Sequence, residues 1–117
     1  MQNSICRTKS FTFALSVIEI YKELVSSKKE YVMSRQLLKS GTSIGANIAE
    51  GIQAQSKPDF IHKYSIALKE AQETLYWLEL LFQSKYIELH AFHLLKEQNI
   101  ELIKLLTSSI KTAKDKG

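Results

Sequence analysis

The segment 40–51, SGTSIGANIAEG, sets three glycines among hydroxyl and amide side chains. Loops of that composition cradle phosphate with their backbone N–H groups. A Walker-type loop, however, needs Lys and then Ser or Thr directly after its last glycine. Here Ala46 follows Gly45 and Ile52 follows Gly51. The dinucleotide pattern needs closely spaced glycines after a strand, and no strand precedes. Taken as a helix instead, Gly41, Gly45 and Ala49 recur every four residues and line one face. An interior glycine costs a helix about 1 kcal/mol relative to alanine. Close approach to a neighbouring backbone is the simplest compensation. Ile44 lies on the core side of that row, and Ser43, Asn47 and Glu50 form a polar row beside it.

Metal and nucleophile chemistry find less support. A di-iron bundle uses Glu-x-x-His on two helices with two further Glu ligands. The nearest match is Asp59-x-x-His62, while His90 and His93 stand three apart without that motif. No metal site and no cofactor are expected. Cys6 is the only cysteine, so no internal disulfide and no cysteine cluster can form. A reducing compartment follows, with Cys6 in a mobile N-terminus. No nucleophile is spaced to meet a base, so no enzyme is expected. Glu70 and Glu73 flank an apolar seam near Ile66 and Trp77. Partly buried carboxylates need partners, and Arg35, Lys39 or Asn47 could supply them in a structural network.

The chain carries 16 Lys and Arg against 12 Asp and Glu, a formal charge of +4. That excess permits contact with RNA or DNA phosphates without demanding it. The candidates for such contact are Lys28, Lys29, Arg35, Lys39, Lys104, Lys111 and Lys114. Basic residues that keep an apolar helical protein in solution are the competing explanation.

The elements that must position these residues are helical. With 117 residues, one proline and 44% hydrophobic residues, one folded domain, 1–117, is expected. The first helix spans about 9–26, with Phe11, Ala14, Leu15, Ile18, Tyr21 and Val25 as one apolar row and Phe13, Val17, Ile20 and Leu24 beside it. The second, about 31–54, contains the glycine row. The third, about 57–84, opens on Ser56 as N-cap with Pro58 and Asp59 in its first turn. Its seam runs Ile61, Tyr64, Leu68, Ala71, Leu75, Leu78, Phe82. The fourth, about 88–113, turns Phe92, Leu95, Leu102, Leu106 and Ile110 inward, with Asn99 on the same row.

An all-α, antiparallel up-down-up-down four-helix bundle is the expected fold. Apolar residues on more than one face of the first and third helices exceed one stripe per helix. Burial between subunits would cover them; a short bundle with wide stripes is the alternative. No run reaches the roughly 18 apolar residues of a membrane span, and the N-terminus lacks a signal-peptide core. A soluble cytoplasmic protein is expected.

TSIGANIAEG (42–51) and SKPDFIHKYSIALKEAQETLYWLELL (56–81) closely resemble the bacterial four-helix bundle family also called 23S rRNA-intervening-sequence proteins. The resemblance covers about Phe11 to Leu106. It implies a small bundle assembled as a ring-shaped homopentamer, related in fold to the basic, nucleic-acid-binding accessory protein of diversity-generating retroelements. It carries over no catalytic residues. The family's defining residues map to Ser43, Ile44, Asn47, Glu50, Gly51, Glu70 and Trp77, as packing and assembly positions. The expectation is a non-enzymatic oligomer that binds RNA or DNA through basic surfaces. The alternative is a scaffold ring that recruits another protein.

Overall fold

The computed structural model of the protein describes residues 2–116, and residues 1 and 117 of the expected domain lie outside it. Four helices follow one another: α1 (Gln2–Ser26), α2 (Met33–Ile52), α3 (Lys57–Gln83) and α4 (Leu89–Asp115). They form a body of 48 × 21 × 19 Å in which α2 packs on α1 and α3, and α4 packs on α3 and α1. At each interface the residue numbers rise on one helix as they fall on its neighbour. Gly41 meets Val17 and Gly45 meets Ser10. Glu50 meets Lys63, and Ser40 meets Thr74. Glu79 meets Lys96, and Phe82 meets Phe92. Lys9 meets Glu101, and Cys6 meets Ser109.

α1 departs most from expectation. It starts at Gln2, not near residue 9, and Cys6 is buried on it instead of lying in a mobile end. Cys6, Ser10, Phe13 and Val17, spaced four, three and four apart, form one buried row that continues to Leu24. Its first two members are small and polar enough to hide that periodicity. The Cys6 sulfur lies 4.0 Å from the Ser109 hydroxyl, and burial pushes its thiol pKa up. The Tyr64 hydroxyl donates to Asn3 Oδ1 at 3.2 Å, anchoring the first turn. Of the two apolar rows expected on this helix, the one with Phe13, Val17 and Leu24 faces inward, while in the other Phe11 is 66% exposed and Leu15 51%.

α2 is shorter than the expected 31–54. Its start is set by Glu30, whose carboxylate accepts from the N–H groups of Val32 (3.1 Å), Met33 (3.1 Å) and Ser34 (2.7 Å). These are the donors a helix start leaves without intrahelical partners. Burial alone would raise the Glu30 pKa, but those backbone hydrogen bonds outweigh it and hold the carboxyl below its ordinary value. Lys29, at φ 55°, turns the chain so that the Glu30 N–H donates to Leu24 O at 2.9 Å.

α3 starts as its sequence implies, with the Ser56 hydroxyl accepting from Asp59 N–H at 3.2 Å. Its fully buried row is Tyr64, Ala67, Ala71, Thr74, Leu78 and Leu81. Only Tyr64, Ala71 and Leu78 belong to the expected seam; Ile61, Leu68, Leu75 and Phe82 are half-buried. A helix with two neighbours needs two flanking rows. Phe82 stacks on Phe92 of α4 with centroids 4.4 Å apart, while the Thr74 hydroxyl lies 2.9 Å from that of Ser40 on α2. α4 runs two residues past its expected end, to Asp115. Asn99 is fully buried, and its amide donates to Ala71 O at 2.8 Å.

Candidate functional site

The residues of 40–51 sort onto two sides of α2. Gly41 and Gly45 face α1. A Cβ at Gly41 would lie 2.9 Å from Val17 Cγ2, and one at Gly45 would lie 3.2 Å from Ser10 Oγ. Gly51 faces α3, where a Cβ would meet the Tyr64 ring at 2.7 Å. Ile44 is in the core between them. The glycines therefore admit neighbouring side chains to the α2 backbone, and no phosphate cradle exists on this continuous helix.

The polar row turns toward α3. Glu50 pairs with Lys63 at 2.9 Å. Asn47 donates to its own helix, at Ser43 O (2.8 Å), and Ser43 donates to Lys39 O (2.6 Å). The expected network around Glu70 and Glu73 does not form. Glu73 accepts from the Trp77 indole N–H at 3.2 Å, and the Glu70 carboxylate makes no hydrogen bond or ion pair among the described residues, although the Glu70 backbone carbonyl accepts from the Thr74 hydroxyl at 2.7 Å. Burial first, and then the Glu73 charge, raise the Glu70 pKa against the opposing pull of Lys39 and Lys69. Asn47 is spent on a local bond, and Lys39 reaches Glu70 only through its field.

Ile66, Glu70, Glu73 and Trp77 stand four, three and four apart, so they form one row of α3. Tyr76, 58% exposed, and Leu80 extend its apolar surface. On the other side of α2, an open groove of about 710 Å³ runs between α1 and α2. Phe11, Ala14 and Ile18 form one wall, Ala46 and Ala49 the other, and Arg7 stands at its end. Sequence reasoning missed Thr42 and Ala46 as surface residues. Small side chains carry no chemical signal until a groove forms over them.

Lys28, Lys29, Arg35, Lys39, Lys104, Lys111 and Lys114 are all exposed, and none makes an ion pair among the described residues. They do not converge within one protomer. Lys28 shares a cavity of about 500 Å³ with Lys85, Glu23 and Glu88, beside the start of α4. Lys111 and Lys114 lie at the far end of α4, a helix of 27 residues and thus about 40 Å long. Arg35 and Lys39 lie one turn apart on the outward side of α2.

Among the described residues, no three His, Cys, Asp or Glu gather where they could hold a metal. No helix among the described residues is long and apolar enough to cross a membrane.

A comparison with curated proteins gives no match. Among solved structures, a crystal structure from Bacteroides thetaiotaomicron superposes with a TM-score of 0.93. It is 51% identical and covers 95% of this chain and 99% of its own. That protein is described as one of unknown function from the S23 ribosomal protein family. The family model for the 23S rRNA-intervening sequence protein matches residues 2–108. With glycines admitting α1 and α3 to α2, a buried row from Cys6 onward and this match over most of its length, the chain belongs to the 23S rRNA-intervening sequence protein family.

Proposed function

We propose that this chain is a non-enzymatic protein of the cytoplasm, an up-down-up-down antiparallel bundle that works as a ring-shaped homo-oligomer and binds RNA or DNA through basic surfaces. One observation carries the nucleic-acid reading. The seven candidate basic side chains are all exposed and in no ion pair among the described residues. The four lysines that do meet carboxylates are Lys9, Lys22, Lys63 and Lys96. The free charges lie toward both ends of an elongated body. One protomer therefore offers two small basic areas, and repetition around a ring joins each into a circle of charge. Such circles hold phosphates without reading bases.

The test is binding of a structured RNA and of duplex DNA across a salt series. Affinity should fall steeply as salt rises, because each phosphate contact releases counterions. Lys104→Glu with Lys111→Glu should weaken binding alike for unrelated sequences. No binding at low salt sinks the reading and favours a ring that recruits protein.

A further inference from the structure

The α1–α2 and α3–α4 connections meet at one end of the bundle, and between them lies the cavity of about 500 Å³. Small-ligand sites span roughly 300–1,000 Å³. Phe82 and Tyr86 supply its aromatic wall, and Lys28, Lys85, Glu23 and Glu88 its charges. The four charged side chains are exposed, and no two of them pair among the described residues. Phe82 spends one face on Phe92, with the two rings parallel to within 4°. The half-buried Tyr86 ring has no aromatic partner among the described residues. It also borders a second cavity, of about 150 Å³, so open space adjoins it in both.

The backbone holds this cavity in shape. Ser27 N–H donates to Glu23 O at 2.9 Å and Tyr86 N–H to Leu81 O at 2.8 Å, so both connections fold back onto the helices they leave. Lys29 (φ 55°) and Lys85 (φ 71°) are the two non-glycine residues with positive φ among the described residues. Glycine enters that region at no steric cost, yet each connection places a lysine there. A bare anion would satisfy the lysines but face two carboxylates. A planar base carrying a phosphate answers every group. Its ring stacks on an aromatic side chain, its amino group donates to a carboxylate, and its phosphate meets the ammoniums. We propose that this cavity takes one unpaired nucleotide of a nucleic-acid strand, with the base against Tyr86 and the phosphate at Lys28 and Lys85. A duplex keeps its bases stacked on one another, so only a base outside the stack can enter. The inference rests on the nucleic-acid reading above and names its ligand as a single strand, loop or bulge.

The experiment measures binding to the full chain by fluorescence anisotropy at one salt concentration. The probes are a short oligocytidylate, an RNA duplex of the same length, and cytidine monophosphate as competitor. The oligocytidylate should bind more tightly than either of the others. Tyr86→Leu keeps an apolar side chain at a half-buried position and removes the ring. It should weaken the oligocytidylate about tenfold, the order of one lost stack, and leave the duplex unchanged. Lys85→Gly removes an ammonium and relaxes a backbone at φ 71°. It should keep or raise the melting temperature and still weaken the oligocytidylate severalfold. Far-UV circular dichroism confirms that both variants remain folded. If both bind the oligocytidylate like the unmodified protein, the cavity assignment is overturned, and the basic-surface reading stands on Lys104→Glu with Lys111→Glu. A duplex that binds as tightly as the strand overturns the preference for unpaired bases. Cytidine monophosphate that binds as tightly as the strand overturns the strand as the source and leaves a free nucleotide as the ligand. No binding of any probe at low salt overturns both readings.

Discussion

Glu30 shows how much one side chain can organise. Its carboxylate closes three backbone N–H groups of the α2 start. Replacing a capping side chain by alanine costs about 0.5–2 kcal/mol, and Glu30→Ala should fall at the upper end, read as a lower urea midpoint. The cap also gives stability a pH dependence. The folded-state pKa of Glu30 lies below its unfolded value. Its contribution is therefore fully present above the unfolded pKa and is lost as pH falls through the folded one. The drop in stability on acidification should be smaller in Glu30→Ala than in the unmodified protein. Glycines make the opposite prediction to helix propensity. Gly→Ala ordinarily gains a helix about 1 kcal/mol. At Gly41 the new methyl meets branched, buried Val17 at 2.9 Å, and at Gly51 the Tyr64 ring at 2.7 Å. Overpacking of that kind costs about 1–3 kcal/mol. Gly41→Ala and Gly51→Ala should lower the melting temperature, whereas Gly45→Ala, facing Ser10 at 3.2 Å, should change it least.

At the scale of elements, the helices are joined by a few buried polar contacts set among apolar ones. Asn99 ties α4 to α3 through Ala71 O, but its own Oδ1 has no partner among the described residues. A half-satisfied amide stabilises little, so Asn99→Leu should be tolerated within about 1–2 kcal/mol, near the worth of one hydrogen bond. Asn99→Asp would place an unpaired charge at the same fully buried point, which costs about 3–5 kcal/mol. Denaturant melts at neutral and acid pH check this, because protonation should recover much of the Asp variant's loss. Helical spacing made four helices legible, together with the α3 cap and the inward row of α4. It left open which of the two apolar rows of α1 faces inward. Phe11 and Leu15 looked like core by residue type, and Cys6 and Ser10 like surface. Periodicity defines a face; only a neighbour defines whether that face is covered. The α2 start was hidden for a related reason, since Glu30 in a polar connection carries no mark of the three N–H groups it will meet.

For the whole molecule, the outward apolar rows of α1 and α3 are the consequential feature. If copies cover them for one another, association stabilises the fold by mass action. The melting temperature should then rise with protein concentration over a hundredfold range, and calorimetry or circular dichroism will read it. The sequence by itself determined the helical class, the family, and the presence of small residues every four positions on α2, because these depend on local spacing and residue type. The tertiary structure decided which neighbours the glycines admit, that Cys6 lies inside and Phe11 outside, and that the Glu70 carboxylate has no partner among the described residues. Those outcomes depend on the rotation of each helix about its axis. Contacts between residues far apart in the chain set that rotation, and local spacing does not encode it.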